Sequence, residues 1–347
     1  MENNENAHAA ANQTKEITPA AIAITSLIRG VGLEKKRAIE DERKTIYQSK
    51  QPFLSSSDFP PVFVFGIATS AYQVEGGSNE GGWGPSSWDD FSHTPGNICD
   101  GSNGDVAADQ YHRYKEDIEL IAKLGFKAYR FSISWTRIFP DGLGSIVNDE
   151  GIMHYDNLIN AFISKETCFT RFSDRVKKWI TINEPLQTAI NGYCTGINAP
   201  GRHDHSLSEP LLAAHHQLLA HAEAVSIYRN KFKDKQGGQI GIALDCEWAE
   251  ALSVREEDLR AAAKRIDFQL GWYLDPIFYG DYPETMRERL GEKLPEFSQK
   301  DEELLRNSLD FVGLNHYTTR FIVDAETNSE DNDVFYRVQG METIHNR

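Results

Sequence analysis

Lys178-Trp-Ile-Thr-Ile-Asn-Glu-Pro185 decides how this chain is read. Residues 178–182 have the composition of a strand, and Pro185 stops it, because proline has no amide hydrogen to give to a sheet ladder. The stop leaves an amide, Asn183, and a carboxylic acid, Glu184, at the strand's exit. In a parallel barrel the carboxyl ends of the strands are where the chemistry is placed.

Four more segments read as strands. Val62-Phe-Val-Phe-Gly-Ile-Ala68 is continuously apolar, as a strand buried on both faces must be. The others are Lys127-Ala-Tyr-Arg-Phe-Ser-Ile133, Gln239-Ile-Gly-Ile-Ala-Leu244 and Ser308-Leu-Asp-Phe-Val-Gly-Leu-Asn315. Helical spacing fills the gaps. Asp105 can cap a helix running to about 123, where Ile118, Ile121, Ala122 and Leu124 repeat at helical spacing and which Gly125 ends. Further helices are expected over 149–163, 211–231 and 256–270, and a Gly/Ser/Asn/Asp-rich loop over 76–105. Strand and helix in alternation predict an α/β fold around a parallel sheet. A closed barrel of this class needs eight strands over about 250 residues. Only five are found, and residues 164–177 leave room for one short helix, because a βαβ crossover takes about a dozen residues or more.

A chain of 347 residues with 40% hydrophobic composition can bury a substantial core. A formal charge of −16 disfavours nucleic acid and anionic membrane surfaces as partners and is neutral on an uncharged substrate. Cys99, Cys168, Cys194 and Cys246 are scattered, without metal spacing, and buried thiols are the plain reading. No metal or other cofactor is expected. Residues 1–50 read as a polar, mobile leader without a clear signal peptide. Residues 326–347 read as an acidic, solvated tail.

Longer motifs add a resemblance. Phe63-Val-Phe-Gly-Ile-Ala-Thr-Ser-Ala-Tyr-Gln-Val-Glu-Gly76, Tyr129-Arg-Phe-Ser-Ile-Ser-Trp-Thr-Arg137, Thr181-Ile-Asn-Glu-Pro185 and Asp310-Phe-Val-Gly-Leu-Asn-His-Tyr-Thr318 resemble the first, second, fourth and sixth barrel strands of glycoside hydrolase family 1, the β-glucosidases. Gly192-Tyr-Cys-Thr-Gly196, Ala199-Pro-Gly-Arg202 and Leu219-Ala-His-Ala222 resemble its connecting segments. The similarity spans 55–325 and is strongest to the plant branch. It implies a (β/α)8 TIM barrel and retaining hydrolysis of β-D-glucosides. By position, Glu184 matches the general acid/base. Gln73 and Asn183 match residues that bind the sugar. Arg130, Asn315 and Tyr317 match residues that support the nucleophile, and Trp135 and Trp248 match aromatic positions of the fold. Plainer readings stand beside these: Gln73 as a loop hydrogen-bonder, Tyr317 as a core tyrosine. Arg130, a cation in an apolar strand, argues for a carboxylate close by.

The chain also departs from the family. The third strand would carry a His-Trp pair, but Ser164-Lys-Glu-Thr-Cys168 runs directly into Phe172-Ser-Asp-Arg-Val-Lys-Lys-Trp179, which resembles the lead-in to strand four. Residues 318–347 contain no Thr-Glu-Asn-Gly segment of the kind that holds the nucleophile on strand seven, and no eighth strand. The expected fold is thus a partial barrel lacking the equivalents of strands 3, 7 and 8, with the nucleophile absent. Retaining hydrolysis needs two carboxyl groups about 5–5.5 Å apart, so little or no turnover is expected, with weak or no binding of a β-glucoside. The alternative is a non-catalytic partner of full-length β-glucosidases, associating through exposed barrel edges.

Overall fold

The structure is a computed structural model that describes residues 56–163, 176–325 and 339–344. The leader at 1–50, most of the short helix expected over 164–177, Cys168 and the acidic run at 326–338 lie outside the described residues. Two compact units divide the chain after Val62. The first is described only by a short turn, Ser56–Asp58, and the residues that follow it. The second carries everything below.

Among the described residues it holds eight strands in three sheets. The five expected strands are present as β1 (Gly66–Thr69), β2 (Ala128–Phe131), β3 (Lys178–Asn183), β4 (Gln239–Asp245) and β6 (Phe311–Asn315). They do not form a single open sheet. β1 pairs in parallel with β2, and β3, β4 and β6 form a separate parallel sheet with β4 in the centre. β4 is buried along all but its first residue, as a strand covered on both faces must be. Gly241 permits its close approach to β6, since a Cβ there would stand 2.0 Å from the Phe311 carbonyl oxygen. The first strand begins later than expected, and Phe63, Val64 and Phe65 remain exposed. An apolar run shows a capacity for burial; it does not supply the neighbour that would bury it.

The third sheet was not expected. It consists of β5 (Trp248–Ala251), β7 (Thr319–Asp324) and β8 (Met341–Ile344), with β8 antiparallel to β7. β8 falls in the stretch expected to be solvated tail, which therefore ends in a paired strand at these positions. Its Met341 packs beside buried Ala249, Ala261 and Ile322, which is what fixes it. The ladder of β4 with β6 runs on into that of β5 with β7. Cys246 N–H donates to the Asn315 carbonyl at 3.1 Å, and Trp248 N–H to the Thr318 carbonyl at 3.1 Å. Two neighbouring stretches of chain thus lie side by side through both sheets and bend together at 246–247 and 316–318.

The helices used below are α1 (Ala71–Val74), α2 (Ser87–His93), α3 (Gln110–Lys123), α4 (Trp135–Ile138), α5 (Asp149–Ile163), α6 (Pro185–Gln187), α7 (Glu209–Lys231), α8 (Glu256–Ile266) and α9 (Trp272–Tyr279). α3 starts at Gln110 rather than at 106, behind a left-handed Asp109, and Gly125 at φ +81° follows its end. α7 has Pro at its first turn and buries Leu211, Ala214, Leu218, Ala222 and Val225, spaced by three and four residues. α8 has Glu256, Glu257 and Asp258 in its first turn and Lys264 and Arg265 in its last, the distribution that suits the helix dipole. Ile118, Ile121, Tyr155 and Leu158 of α3 and α5 pack against β1 and β2, while Val225 and Tyr228 of α7 pack on Ile240 of β4.

Two buried histidines make this packing acid-sensitive. His154 stacks on Tyr111 at 4.7 Å, and His221 Nδ1 lies 2.6 Å from Thr181 Oγ1. Burial takes both imidazoles down to about 4. A folded value below the unfolded one gives stability that is present above pH 6.5 and lost as pH falls through 4. Each histidine should contribute on the order of 2–3 kcal/mol to that loss. Urea midpoints should therefore fall steeply over this window, and His154→Phe should flatten the fall; a pH-independent midpoint would contradict the assignment.

Candidate active site

The exit of β3 is locally irregular. Its register with β4 shifts between Ile180 and Asn183, and Glu184 takes φ +50°, ψ +54°, directly ahead of Pro185. A non-glycine residue in the left-handed region costs about 1–3 kcal/mol, and a following proline disfavours helical backbone further. Such a conformation persists only where the surroundings impose it. Here Glu184 N–H donates to the Ala243 carbonyl at 2.8 Å and Gln187 N–H to the Glu184 carbonyl at 3.0 Å, pinning the turn to β4 on one side and α6 on the other.

Four other sequence-designated residues meet Glu184 here. Asn315 Nδ2, at the end of β6, donates to Glu184 Oε1 at 2.6 Å and to Asn183 Oδ1 at 3.1 Å. Tyr317 Oη donates to the same Glu184 oxygen at 3.3 Å. Arg130 Nη2, from β2, donates to Asn183 Oδ1. Tyr317 is 80% exposed, so it is not a core tyrosine. The Glu184 carboxylate, more than desolvation, pushes its phenol up. Among the described residues Arg130 pairs with an amide rather than with the carboxylate its presence argued for. Gln73 is exposed on α1, at the exit of β1, and makes no hydrogen bond to this cluster. Trp135 is 59% exposed, with Nε1 donating to the Gly142 carbonyl at 2.9 Å, and Trp248 starts β5 with Nε1 donating to Glu250 Oε2 at 3.0 Å.

The segments that follow β1 and β2 are tied together by a buried ion pair. Arg137 Nε donates to Glu75 Oε2 at 3.1 Å, and Nη2 donates to the Gly76 carbonyl at 2.9 Å. The guanidinium lies between the rings of Trp83 and Tyr111, 4.4 and 4.3 Å from their centroids. Tyr155 Oη donates to Glu75 Oε1 at 2.7 Å and accepts from Ser134 N–H at 2.8 Å. Burial raises the Glu75 carboxyl, and the Arg137 charge opposes it.

One acid of the site was missed by the sequence reading. Asp245 ends β4, directly beside Asn315 in the β4–β6 register. It is buried, and its Oδ2 accepts from Gln187 Nε2 at 2.7 Å. Burial foremost raises its carboxyl; Gln187 opposes this, and the charges of Glu184 and Glu247 add to it. The signal was available: Gln239-Ile-Gly-Ile-Ala-Leu-Asp245 is an apolar strand that ends on a lone acid, the same pattern that drew attention to Glu184.

Comparison with known proteins places this geometry in a family. The model of glycosyl hydrolase family 1 matches residues 55–166 and 164–345. Beta-glucosidase 42 of Arabidopsis thaliana is 54% identical over 331 residues, covering 84% of this chain and 67% of that protein. Beta-glucosidase 4 of Oryza sativa subsp. japonica is 54% identical over 328 residues, covering 84% and 68%. Among solved structures, a rice β-glucosidase superposes with a TM-score of 0.80 at 44% identity, over 84% of this chain and 71% of that one. A β-glucosidase of the same family from the fungus Humicola insolens, in complex with glucose, gives 0.74 at 40% identity over 82% and 69%. The motifs at the strand exits, the hydrogen bonds that gather on Glu184 and these matches along the chain agree, and the chain belongs to glycosyl hydrolase family 1.

Proposed function

We propose that this chain carries the acid/base half of a retaining β-glucosidase and that the polypeptide of these 347 residues hydrolyses β-D-glucosides poorly or not at all. The observation that carries the first part is the imposed left-handed conformation of Glu184 at a strand exit, with Asn315 and Tyr317 both donating to one of its oxygens. In this reading Glu184 gives a proton to the departing glycosidic oxygen. Asn183 binds the sugar 2-hydroxyl, and Gln73 binds further hydroxyls through an amide that both donates and accepts. Arg130, Asn315 and Tyr317 line the place where the family's nucleophile acts.

The second part rests on the sequence. No segment of the chain resembles the nucleophile block, and the family model matches in two pieces that meet at 164–166, where the third-strand block was found missing. The absence of pairing between β2 and β3, which lie in different sheets, supports the same partial barrel. Without an attacking carboxylate no glycosyl-enzyme forms, and an acid alone does not cleave the bond by double displacement.

An added anion tests both parts. Azide attacks the anomeric carbon, the bond to the aglycone oxygen breaks, and Glu184 supplies that oxygen with its proton, giving α-glucosyl azide and the free aglycone. With 4-methylumbelliferyl β-glucoside, release should need azide and should fall at least about 100-fold in Glu184→Gln. With the dinitrophenyl glucoside, whose leaving group needs no proton, the substitution should have little effect. Ready turnover in plain buffer would overturn the reading. No release with azide, together with co-elution with a full-length β-glucosidase on a sizing column, would favour the non-catalytic partner. The exposed Phe63, Val64 and Phe65 ahead of β1 support that second reading.

A further inference from the structure

We propose that Asp245 is a positioning residue for Glu184: it anchors Gln187, and through it the turn that presents the acid, and it stands beside that acid as a second carboxylate. The inference rests on the reading of Glu184 as the acid/base. Gln187 lies three residues after Glu184, on the single turn of α6, and both ends of its amide are engaged. Nε2 donates to Asp245 Oδ2 at 2.7 Å, and Oε1 accepts from Asn191 Nδ2 at 2.5 Å. In this orientation Asp245 is the acceptor. Asp245 is 8% exposed, at the end of a central strand buried along all but its first residue. β3, by contrast, loses its register just before Glu184. The buried strand, regularly paired with β6, thus supplies a post for the irregular one.

The second role follows from the neighbours. Asp245 and Asn315 are paired across β4 and β6, and Asn315 donates to Glu184. Among the described residues Asp245 Oδ1 is buried without a hydrogen-bond partner, which disfavours a bare carboxylate there. Among the described residues, the titratable groups that act on or feel Asp245 are Glu184 at the exit of β3, Cys246 and Glu247 after β4, Tyr273 on α9 and Tyr317 after β6. None of them is a cation. Removing the proton from Asp245 is therefore harder while Glu184 is charged.

Two measurements on the 347-residue protein separate this from a purely structural acid. In carbon-13 carboxyl spectra, the Asp245 signal, assigned by its loss in Asp245→Asn, should titrate above the ordinary aspartate range. Its midpoint should fall in Glu184→Gln. An unchanged midpoint would overturn the pairing. This arm needs no turnover, so it still reads if azide-supported release is absent and the proposed function itself fails. In the azide assay, Asp245→Asn, which keeps the shape of the side chain, should cut release from the 4-methylumbelliferyl glucoside by about tenfold. Release from the dinitrophenyl glucoside should hold, and Gln187→Ala should repeat the pattern. An equal loss with both substrates, or with neither, would reject the positioning role.

Discussion

A 2-deoxy-2-fluoroglucoside with a good leaving group should leave the mass of the 347-residue polypeptide unchanged after prolonged incubation. Fluorine slows both steps of a retaining hydrolysis, and a good leaving group restores the first. An enzyme with an attacking carboxylate therefore stops as a glycosyl ester. This chain presents Glu184 hydrogen-bonded to Asn315 and Tyr317, and Asp245 buried and bound to Gln187. In our reading the first is a proton donor and the second a post for it. Loss of a nucleophile has cost on the order of 10⁶-fold in another hydrolase, and hydrolysis in plain buffer should be reduced on that scale relative to a full-length relative. Peptide mapping makes the result specific. An adduct on Asp245 would turn the positioning residue into the attacking one, and an adduct on any other acid would end the claim that the nucleophile is missing.

Arg137→Ala should destabilise the protein by about 3–5 kcal/mol, the usual cost of leaving one member of a buried ion pair without the other. Arg137 is 0% exposed and Glu75 2%. The substitution leaves Glu75 with Tyr155 as its remaining hydrogen-bond donor in the network and opens the space between Trp83 and Tyr111. Denaturant unfolding measures the loss. The double variant Arg137→Met with Glu75→Gln should recover a good part of it, because replacing a whole buried pair by groups of similar volume is often close to neutral. A loss below about 1 kcal/mol for Arg137→Ala would mean that solvent reaches the pair. The network joins the segment after β1 to those after β2, so Gln73 should also become less ordered.

Much of this was legible in the residues, for identifiable reasons. β4 was clear because a strand buried on both faces must be apolar throughout, and α7 because its buried residues recur at helical spacing. Glu184 was clear because a proline fixes where its strand ends. The third sheet was hidden for the opposite reason. β5, Trp248-Ala-Glu-Ala251, and β8, Met341-Glu-Thr-Ile344, are four residues each, and neither length nor pattern marks them; they are strands because β7 lies beside them. The partner of Arg130 was not anticipated. Sequence logic asked for a carboxylate, and the described residues offer an amide, since which side chains meet across two sheets depends on tertiary placement.

The exposure of Tyr317 bears on how strongly the assembled groups can act. Preorganised dipoles lower a barrier most when water is shut out, because a low dielectric lets their field reach the developing charge undiminished. A ring lying almost wholly in solvent, one hydrogen bond from Glu184, means that bulk water mixes into that field and weakens it. The donors around the acid can stand in the right places and still stabilise charge far less than they would beneath a closed roof.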